Sequence, residues 1–162
     1  MSSQPRSAVI FLQNPWFPPD TDPEIVESYM RDIHFRRKTL AETMTGRRLS
    51  GLFGPTYHDI WWDNANPRPV LGDHRGSRDP DPEHMLRVIL ERRPTAIGLM
   101  GRHAVSGLED LSQRVPLFFR KNRVLGARVY QARHPNAMGC TTEELENFSE
   151  AIINHIIGIF EI

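Results

Sequence analysis

Four short runs of apolar residues divide the chain and predict the strands of a β-sheet. They cover Ala8–Leu12, Asp59–Trp62, Ala96–Met100 and Ala127–Ala132. Their residues are largely β-branched or aromatic, and the runs are nearly continuous rather than alternating with polar positions. Because continuous apolar runs are typical of strands that are covered on both faces, we predict a sheet that lies between two layers of helices.

Stretches with helical spacing separate these runs and follow the last one. We predict four helices, at Pro23 to about Thr45, Asp81 to Arg92, Ala104 to about Leu111 and Thr141 to about Ile157. The first shows apolar residues three or four positions apart. The second of these begins with an N-cap acid and an N1 proline, and the last begins with a capping box. The charged segments 36–38 and 47–48 are expected on exposed helical faces, with phosphate contact as the alternative.

The alternation of strands and helices predicts the fold class. Strands joined through helices favour right-handed crossovers and a mainly parallel sheet. We therefore predict an α/β fold, a three-layer sandwich with a central, mainly parallel four-stranded sheet flanked by helices. The 162 residues suit one hydrophobic core, so we predict a single domain over residues 1–162.

Composition changes this picture only a little. Hydrophobic residues make up 39% of the chain and charged residues 25%, which is ordinary for a globular protein. The formal net charge is zero, so no overall basic field indicates a nucleic-acid partner. A local basic surface stays open, because all but two of the 20 basic residues are arginines, whose planar forks suit phosphate groups.

The cysteine and histidine pattern indicates no cofactor. Cys140 is the only cysteine, which excludes an intramolecular disulfide and a cysteine-ligated zinc or iron–sulfur centre. The seven histidines show no metal-binding spacing, so we predict no metal and no cofactor. We read no signal peptide and no membrane span, and we expect a cytoplasmic monomer.

Polar residues beside proline follow three of the four predicted strands. Asn14-Pro15 follows the first strand, the segment 63–67 follows the second, and His134-Pro135 follows the fourth. Open α/β sheets bind ligands beyond the carboxyl ends of their strands. A following proline disfavours helical backbone and stiffens the loop, so it holds the preceding polar side chain in a fixed geometry.

These side chains suit the chemistry of a planar heterocycle. The amide of Asn64 presents an acceptor and two donors in one plane, Asn14 can hold a water, and His134 can donate to an oxygen that gains negative charge. Each residue also has an ordinary structural interpretation, because Asn-Pro is common in turns and His-Pro in surface loops. Their shared position at strand ends favours function.

Four motifs at these positions resemble those of the uracil-DNA glycosylase superfamily. The segment 12–17, Leu-Gln-Asn-Pro-Trp-Phe, resembles the first motif, and 134–139, His-Pro-Asn-Ala-Met-Gly, resembles the second. Asp63-Asn64-Ala65 is similar to the Asn-Ala pair after the second strand, and 99–104 is similar to the third-strand motif. The four occur in family order and span most of the chain.

The resemblance implies a monofunctional DNA glycosylase without a cofactor. Such an enzyme takes uracil or a related deaminated or modified base out of single- or double-stranded DNA and hydrolyses its N-glycosidic bond, leaving an abasic site. It implies that Asn14 positions the attacking water, that His134 stabilises the departing base, and that Asn64 reads the base edge.

The resemblance also implies further base contacts. It assigns base binding to Gln13, to Trp16 and to Phe53. Trp16 matches the aromatic residue that walls off the C5 side of the base and excludes thymine. Phe53 and Phe17 are the candidates to stack on the base, with core packing as the alternative for each.

Contacts with DNA are implied for the second motif and its neighbours. Met138 occupies the place of the residue that wedges into the base stack, and Arg133 and Asn136 are the expected DNA-binding neighbours. Arg75 and Arg78 lie in a charged loop where phosphate contact is an alternative to simple solvation.

Departures from the family pattern leave two other functions open. Leu12 replaces a glycine, and Asn14 replaces the aspartate of the best-known branch, which removes a carboxylate and lowers the expected rate. Asn136 and Ala137 replace a serine and a proline. One alternative is a glycosylase-like module that binds DNA or a partner without cleavage. The other is an N-glycosidase that acts on free nucleosides or nucleotides.

Overall fold

The structure, a computed structural model, describes residues 5–72 and 79–158. Its strands are β1 Ala8–Leu12, β2 Trp16–Phe17, β3 Ile60–Asn64, β4 Val70–Leu71, β5 Ala96–Met100, β6 Phe119–Arg120, β7 Arg123–Val124 and β8 Ala127–Ala132. Its helices are α1 Pro23–Arg31, α2 Ile33–Glu42, α3 Met44–Phe53, α4 Pro82–Arg92, α5 Arg102–Arg114 and α6 Thr142–Ile157. Short 3₁₀ helices cover Gly54–Asp59 and Pro116–Phe118.

The central sheet is mixed and six-stranded, in the order β3-β1-β5-β8-β7-β6. The first four strands are parallel, whereas β7 and β6 continue the sheet antiparallel at the edge of β8. The prediction of a four-stranded sheet is therefore wrong in strand number. Because β6 and β7 contain two residues each, they are too short to show the periodicity by which a strand is recognised.

The first, third and fourth predicted strands have the bounds of β1, β5 and β8. The second, predicted as Asp59–Trp62, is β3 and covers Ile60–Asn64. β3 runs to Asn64, in parallel register with β1, where Phe11 lies opposite Asp63 and Leu12 opposite Asn64. Asp63 and Asn64 therefore belong to β3 and not to the loop that follows it. The carboxyl ends of β1, β3 and β8 thus meet at one edge of the sheet, as predicted for parallel strands.

The prediction of one long helix from Pro23 to Thr45 is wrong, because the segment forms parts of three helices. Asp32 ends α1 and caps α2 by accepting from the backbone N–H groups of His34 and Phe35. Thr43 ends α2 and caps α3 by accepting from the N–H of Gly46. These side chains satisfy the first N–H groups of a new helix, so each break is stabilised locally.

Helices cover both faces of the sheet. Alternate residues of β1 point to opposite sides: Ile10 packs with α3 and α6 residues such as Phe148, whereas Phe11 packs with α4 and α5 residues such as Met85. Both clusters are continuous and nearly solvent-free. Among the described helices, none has the length and apolar character needed to cross a bilayer.

Candidate functional site

A cavity of about 570 Å³ opens at the carboxyl edge of the parallel strands. Asn14 lies two residues after the end of β1, Asn64 is the last residue of β3, and His134 lies two residues after the end of β8. All three line this cavity. Its volume is in the range of small-molecule sites. The structure therefore brings together the three residues that the sequence singled out from separate strand ends.

The described lining of the cavity combines apolar side chains with hydrogen-bonding ones, and it carries no formal charge at neutral pH. None of these residues is an aspartate, glutamate, lysine or arginine, and the titratable side chains among them are Tyr29 and His134. A charged ligand would lose hydration here without meeting an opposite charge. The cavity consequently suits an uncharged, hydrogen-bonding group.

A short parallel ladder forms the aromatic wall of the cavity. β2 pairs with β4, so that Trp16 lies opposite Val70, and the N–H of Val70 donates to the carbonyl of Pro15 at 2.8 Å. Phe17 is buried, and its ring packs edge-on against the ring of Tyr29 with the centroids 5.4 Å apart. Gln13, Trp16 and Phe17 all line the cavity.

His134 has a defined protonation state. Burial lowers the pKa of His134 below its ordinary value, so the ring is neutral at pH 7. The backbone N–H of Asn136 donates to its Nδ1 at 3.2 Å, which makes Nδ1 the acceptor. A neutral imidazole with Nδ1 as acceptor carries its proton on Nε2. Since no described residue bonds to Nε2, this N–H is available to a group in the cavity.

Helix α3 holds the loop that carries His134. Arg48 donates to the carbonyl of Pro135 at 3.1 Å and to the hydroxyl of Thr142 at 3.4 Å. The amide of Asn136 donates to the hydroxyl of Thr45 at 2.7 Å. These roles of Thr45 and Arg48 are not evident from the sequence, because the local pattern shows only an exposed helical face and gives no signal of the loop that packs on it.

Asn64 is 4% exposed and faces the cavity with an available acceptor. Its backbone N–H donates to Asp63 Oδ1 at 2.8 Å, and its Nδ2 donates to the hydroxyl of Tyr29 at 3.4 Å. Within the described residues no group donates to Asn64 Oδ1. The amide is therefore held at one side and can accept a hydrogen bond at the other.

A buried ionic cluster lies behind Asn64. Asp63 accepts from His84 Nε2 and Trp61 Nε1, each at 2.8 Å, and Arg36 lies 3.7 Å away. Burial alone would raise the pKa of Asp63, but the bond from His84 and the charge of Arg36 outweigh it and lower the pKa. The cluster fixes the end of β3 from which Asn64 points.

The expected exposure of Arg36 is wrong. It is only 5% exposed, and its guanidinium donates to three backbone carbonyls, those of Tyr29, Met30 and Trp62. These bonds and the charge of Asp63 satisfy a group that is otherwise unfavourable in a protein interior. Arg36 thereby joins α1 and α2 to β3 beside the cavity.

Asn14 keeps two oxygens available for a water. The neighbouring carbonyls of Leu12, Gln13 and Pro15 accept from the N–H groups of Ala65, Asn66 and Val70. In the part of the chain that the structure describes, neither the backbone carbonyl nor the side chain of Asn14 has a hydrogen-bond partner. Asn14 is half-buried, so both oxygens remain within reach of solvent that enters the cavity.

Phe53 does not line the cavity, and its prediction as a base-binding residue is wrong. It is 2% exposed and packs edge-on against Trp62 and Phe148 in the core. Its helical position faces the sheet, and the sequence pattern alone does not separate that role from a binding role. The aromatic rings that line the cavity are those of Trp16, Phe17 and Tyr29.

The remaining predicted residues lie at the rim. Met138 is fully exposed beside Ala137, which lines the cavity. Arg133 is exposed and donates to the carbonyl of Gly139. Arg75 and Arg78 lie outside the described residues.

A second groove of about 890 Å³ shares His134, Gln13 and Ala137 with the cavity. Unlike the cavity, it is lined by charged residues, including Arg102, Arg133, Glu109 and Glu144. His134 therefore lines both the uncharged cavity and the charged groove.

No cluster of three potential metal ligands occurs within residues 5–72 and 79–158. Comparison of the chain with models of known protein families gives no match, and no curated protein sequence matches it.

Proposed function

We propose that the chain is a monofunctional DNA glycosylase that excises uracil or a related deaminated or modified base. The observation that carries this proposal is the meeting of Asn14, Asn64 and His134 in one uncharged cavity. Each of the three keeps hydrogen-bonding groups without a described protein partner. Turn residues at the ends of parallel strands would share this edge as well, but a purely structural role does not call for polar groups left without a protein partner.

The cavity suits a base that has left the DNA stack. Phe17 and Trp16 offer apolar surface to a planar ring, and the uncharged lining avoids a mismatch with a neutral heterocycle. Asn64 Oδ1 accepts from a ring N–H such as N3–H of uracil. Extrusion of the nucleotide is required because the reacting bond is out of reach inside a duplex.

Hydrolysis requires a water on one side of the sugar and a stabilised leaving group on the other. Asn14 orients the water, whose oxygen forms the new bond to C1′ as the bond from C1′ to the base nitrogen breaks. The electron pair of that bond stays on the base, and its negative charge spreads to a carbonyl oxygen. His134 donates its Nε2–H to this oxygen, and the proton lost by the water passes to solvent.

The rim supplies the contacts with DNA. Met138 is fully exposed beside the cavity and fits the role of a side chain that fills the vacated stack. Arg102 and Arg133 in the neighbouring groove are the described cations within reach of phosphates. Glu109 and Glu144 line the same groove, and Glu144 lies 3.9 Å from Arg133, so these contacts are local and do not come from a basic field. We accordingly propose DNA as the partner.

Base release from defined oligonucleotides tests the function. Labelled single- and double-stranded oligonucleotides that carry uracil, 5-hydroxymethyluracil, hypoxanthine or xanthine are incubated with stoichiometric protein and then treated with alkali. Strand scission at the modified position with at least one base is the expected result. No scission with any of them contradicts the proposal.

The same experiment separates the two alternatives. Salt-dependent DNA binding without scission would indicate a binding module. Turnover of free deoxyuridine without affinity for DNA would indicate a nucleoside N-glycosidase. Replacement of His134 by alanine lowers the rate of base release about a hundred- to a thousandfold and leaves DNA binding in place if the proposed chemistry is correct.

A further inference from the structure

The hydroxyl of Tyr29 is a buried polar group beside the cavity that the proposed chemistry does not use. Tyr29 lies in α1, is 6% exposed and lines the cavity together with Asn64. Its ring is held edge-on by Phe17, with the centroids 5.4 Å apart. The position of the hydroxyl is therefore fixed by packing as well as by hydrogen bonding.

The proton of this hydroxyl has no acceptor within the described residues. The oxygen accepts from Asn64 Nδ2 at 3.4 Å, a long hydrogen bond, and no described group accepts the O–H in return. Burial raises the pKa of Tyr29, so the hydroxyl stays protonated at neutral pH. A buried donor without an acceptor is unfavourable, so a ligand carbonyl that reaches it forms a hydrogen bond that the described protein groups do not supply.

We propose that Tyr29 is a specificity residue that donates its hydroxyl proton to a carbonyl oxygen of the bound base. This inference rests on the proposed function. Asn64 Oδ1 accepts the ring N–H of the same base, and His134 Nε2–H donates to the carbonyl on its other side. In this proposal the three side chains, which all line the cavity, present a donor–acceptor–donor series to the base.

The complement of this series is an imide edge, a ring N–H between two carbonyl groups. Uracil, 5-substituted uracils and xanthine carry such an edge. Cytosine places an amino group where Tyr29 requires an acceptor, and hypoxanthine has only one of the two carbonyls. The substrate class that the site selects is thus imide-bearing bases, and Tyr29 contributes the selection at the second carbonyl.

Tyr57 provides a matched control for the loss of a tyrosine hydroxyl. It is 1% exposed, its hydroxyl donates to the carbonyl of Arg37 at 2.9 Å, and it does not line the cavity. Tyr29→Phe and Tyr57→Phe therefore each remove one buried hydroxyl from an aromatic ring. Only the first removes a group that faces the base.

Single-turnover excision of uracil and of 4-thiouracil from the same oligonucleotide tests the contact. Sulfur is a weak acceptor, so 4-thiouracil weakens the bond from Tyr29 and keeps the N–H for Asn64. Tyr29→Phe is expected to slow uracil release about three- to tenfold, the effect of one neutral hydrogen bond, and to slow 4-thiouracil release much less. The rate ratio of the two bases therefore falls in Tyr29→Phe and stays at the wild-type value in Tyr57→Phe.

Other outcomes overturn the inference. An equal loss of rate on both bases means that Tyr29 acts only by holding Asn64, and an unchanged rate means that it does not contact the base. Both results leave the proposed function standing. Failure of the wild-type protein to release any base defeats the proposed function and the inference with it.

A comparison that needs no variant covers the case in which Tyr29→Phe does not fold. The wild-type protein is expected to release xanthine and to leave hypoxanthine in place, because only xanthine has the second carbonyl. Release of hypoxanthine as fast as xanthine contradicts selection for an imide edge.

Discussion

Gly101 sets the position of His134, and its replacement by alanine is the most informative perturbation that the fold offers. The residue precedes α5 with φ 101° and ψ 166°, a backbone region that is nearly restricted to glycine. A Cβ at this position would lie 3.2 Å from the Cβ of His134. Gly101→Ala therefore strains its own backbone and pushes on the proposed leaving-group donor.

The two effects have separate magnitudes. A residue in this backbone region costs about 1–3 kcal/mol in the free energy of unfolding. The contact at 3.2 Å is relieved only if His134 moves by a few tenths of an ångström. A misplacement of about 1 Å can lower a rate roughly a hundredfold, so we expect a loss of about three- to tenfold in base release.

Gly126→Ala is the matched control. Gly126 has φ 85°, which also favours glycine, but a Cβ there would meet nothing within 4 Å. Both variants should lose stability in urea denaturation, and only Gly101→Ala should lose excision activity in a single-turnover assay under native conditions. Equal activity of the two variants would refute the claim that Gly101 positions His134.

Three further predictions follow from the site. Arg48→Ala should slow base release severalfold, because the bond to the loop of His134 is lost, whereas Arg47→Ala, which loses a bond to the carbonyl of Glu42 at the end of α2, should not. Equal rates of the two variants would refute the role of Arg48 in holding that loop. Asp63→Asn should lower the free energy of unfolding by about 3 kcal/mol, measured in urea, because it leaves the Arg36 charge buried without its partner; a loss below about 1 kcal/mol would contradict this. Since the pKa of His134 is lowered by burial, the unfolded chain binds its proton first, and the wild-type melting temperature should fall more than that of His134→Gln as the pH drops below 6.5.

The strand ends were predictable because their pattern is local. Continuous apolar runs identify strands, and parallel strands end at a common edge, so the sequence alone places Asn14 and His134 at one edge of the sheet. Asn64 was assigned to the same edge, although β3 runs two residues further than its apolar run. The polar end of β3 is stable in the sheet because other elements supply partners for Asp63.

The helical side of the site was not predictable in the same way. Tyr29 occupies a core-facing position of α1, and its hydroxyl meets Asn64 only because α1 packs against the end of β3. The available signal was chemical, since a buried tyrosine hydroxyl requires a polar neighbour. The predicted helix from Pro23 to Thr45 divides at Asp32 and Thr43, which are residues that favour helix N-caps. Their side chains cap α2 and α3, and these capping bonds explain why the helical pattern does not form one continuous helix.

The rate of uracil release by wild-type protein and by His134→Ala, in single turnover on one oligonucleotide, tests the central claim most directly. His34→Ala, which removes an exposed imidazole from α2, serves as the control. Loss of the Nε2–H donor should lower the rate about a hundred- to a thousandfold, the range for one removed oxyanion donor, with the control unchanged. Equal rates for wild-type and His134→Ala would contradict the assignment of His134 and the function built on it.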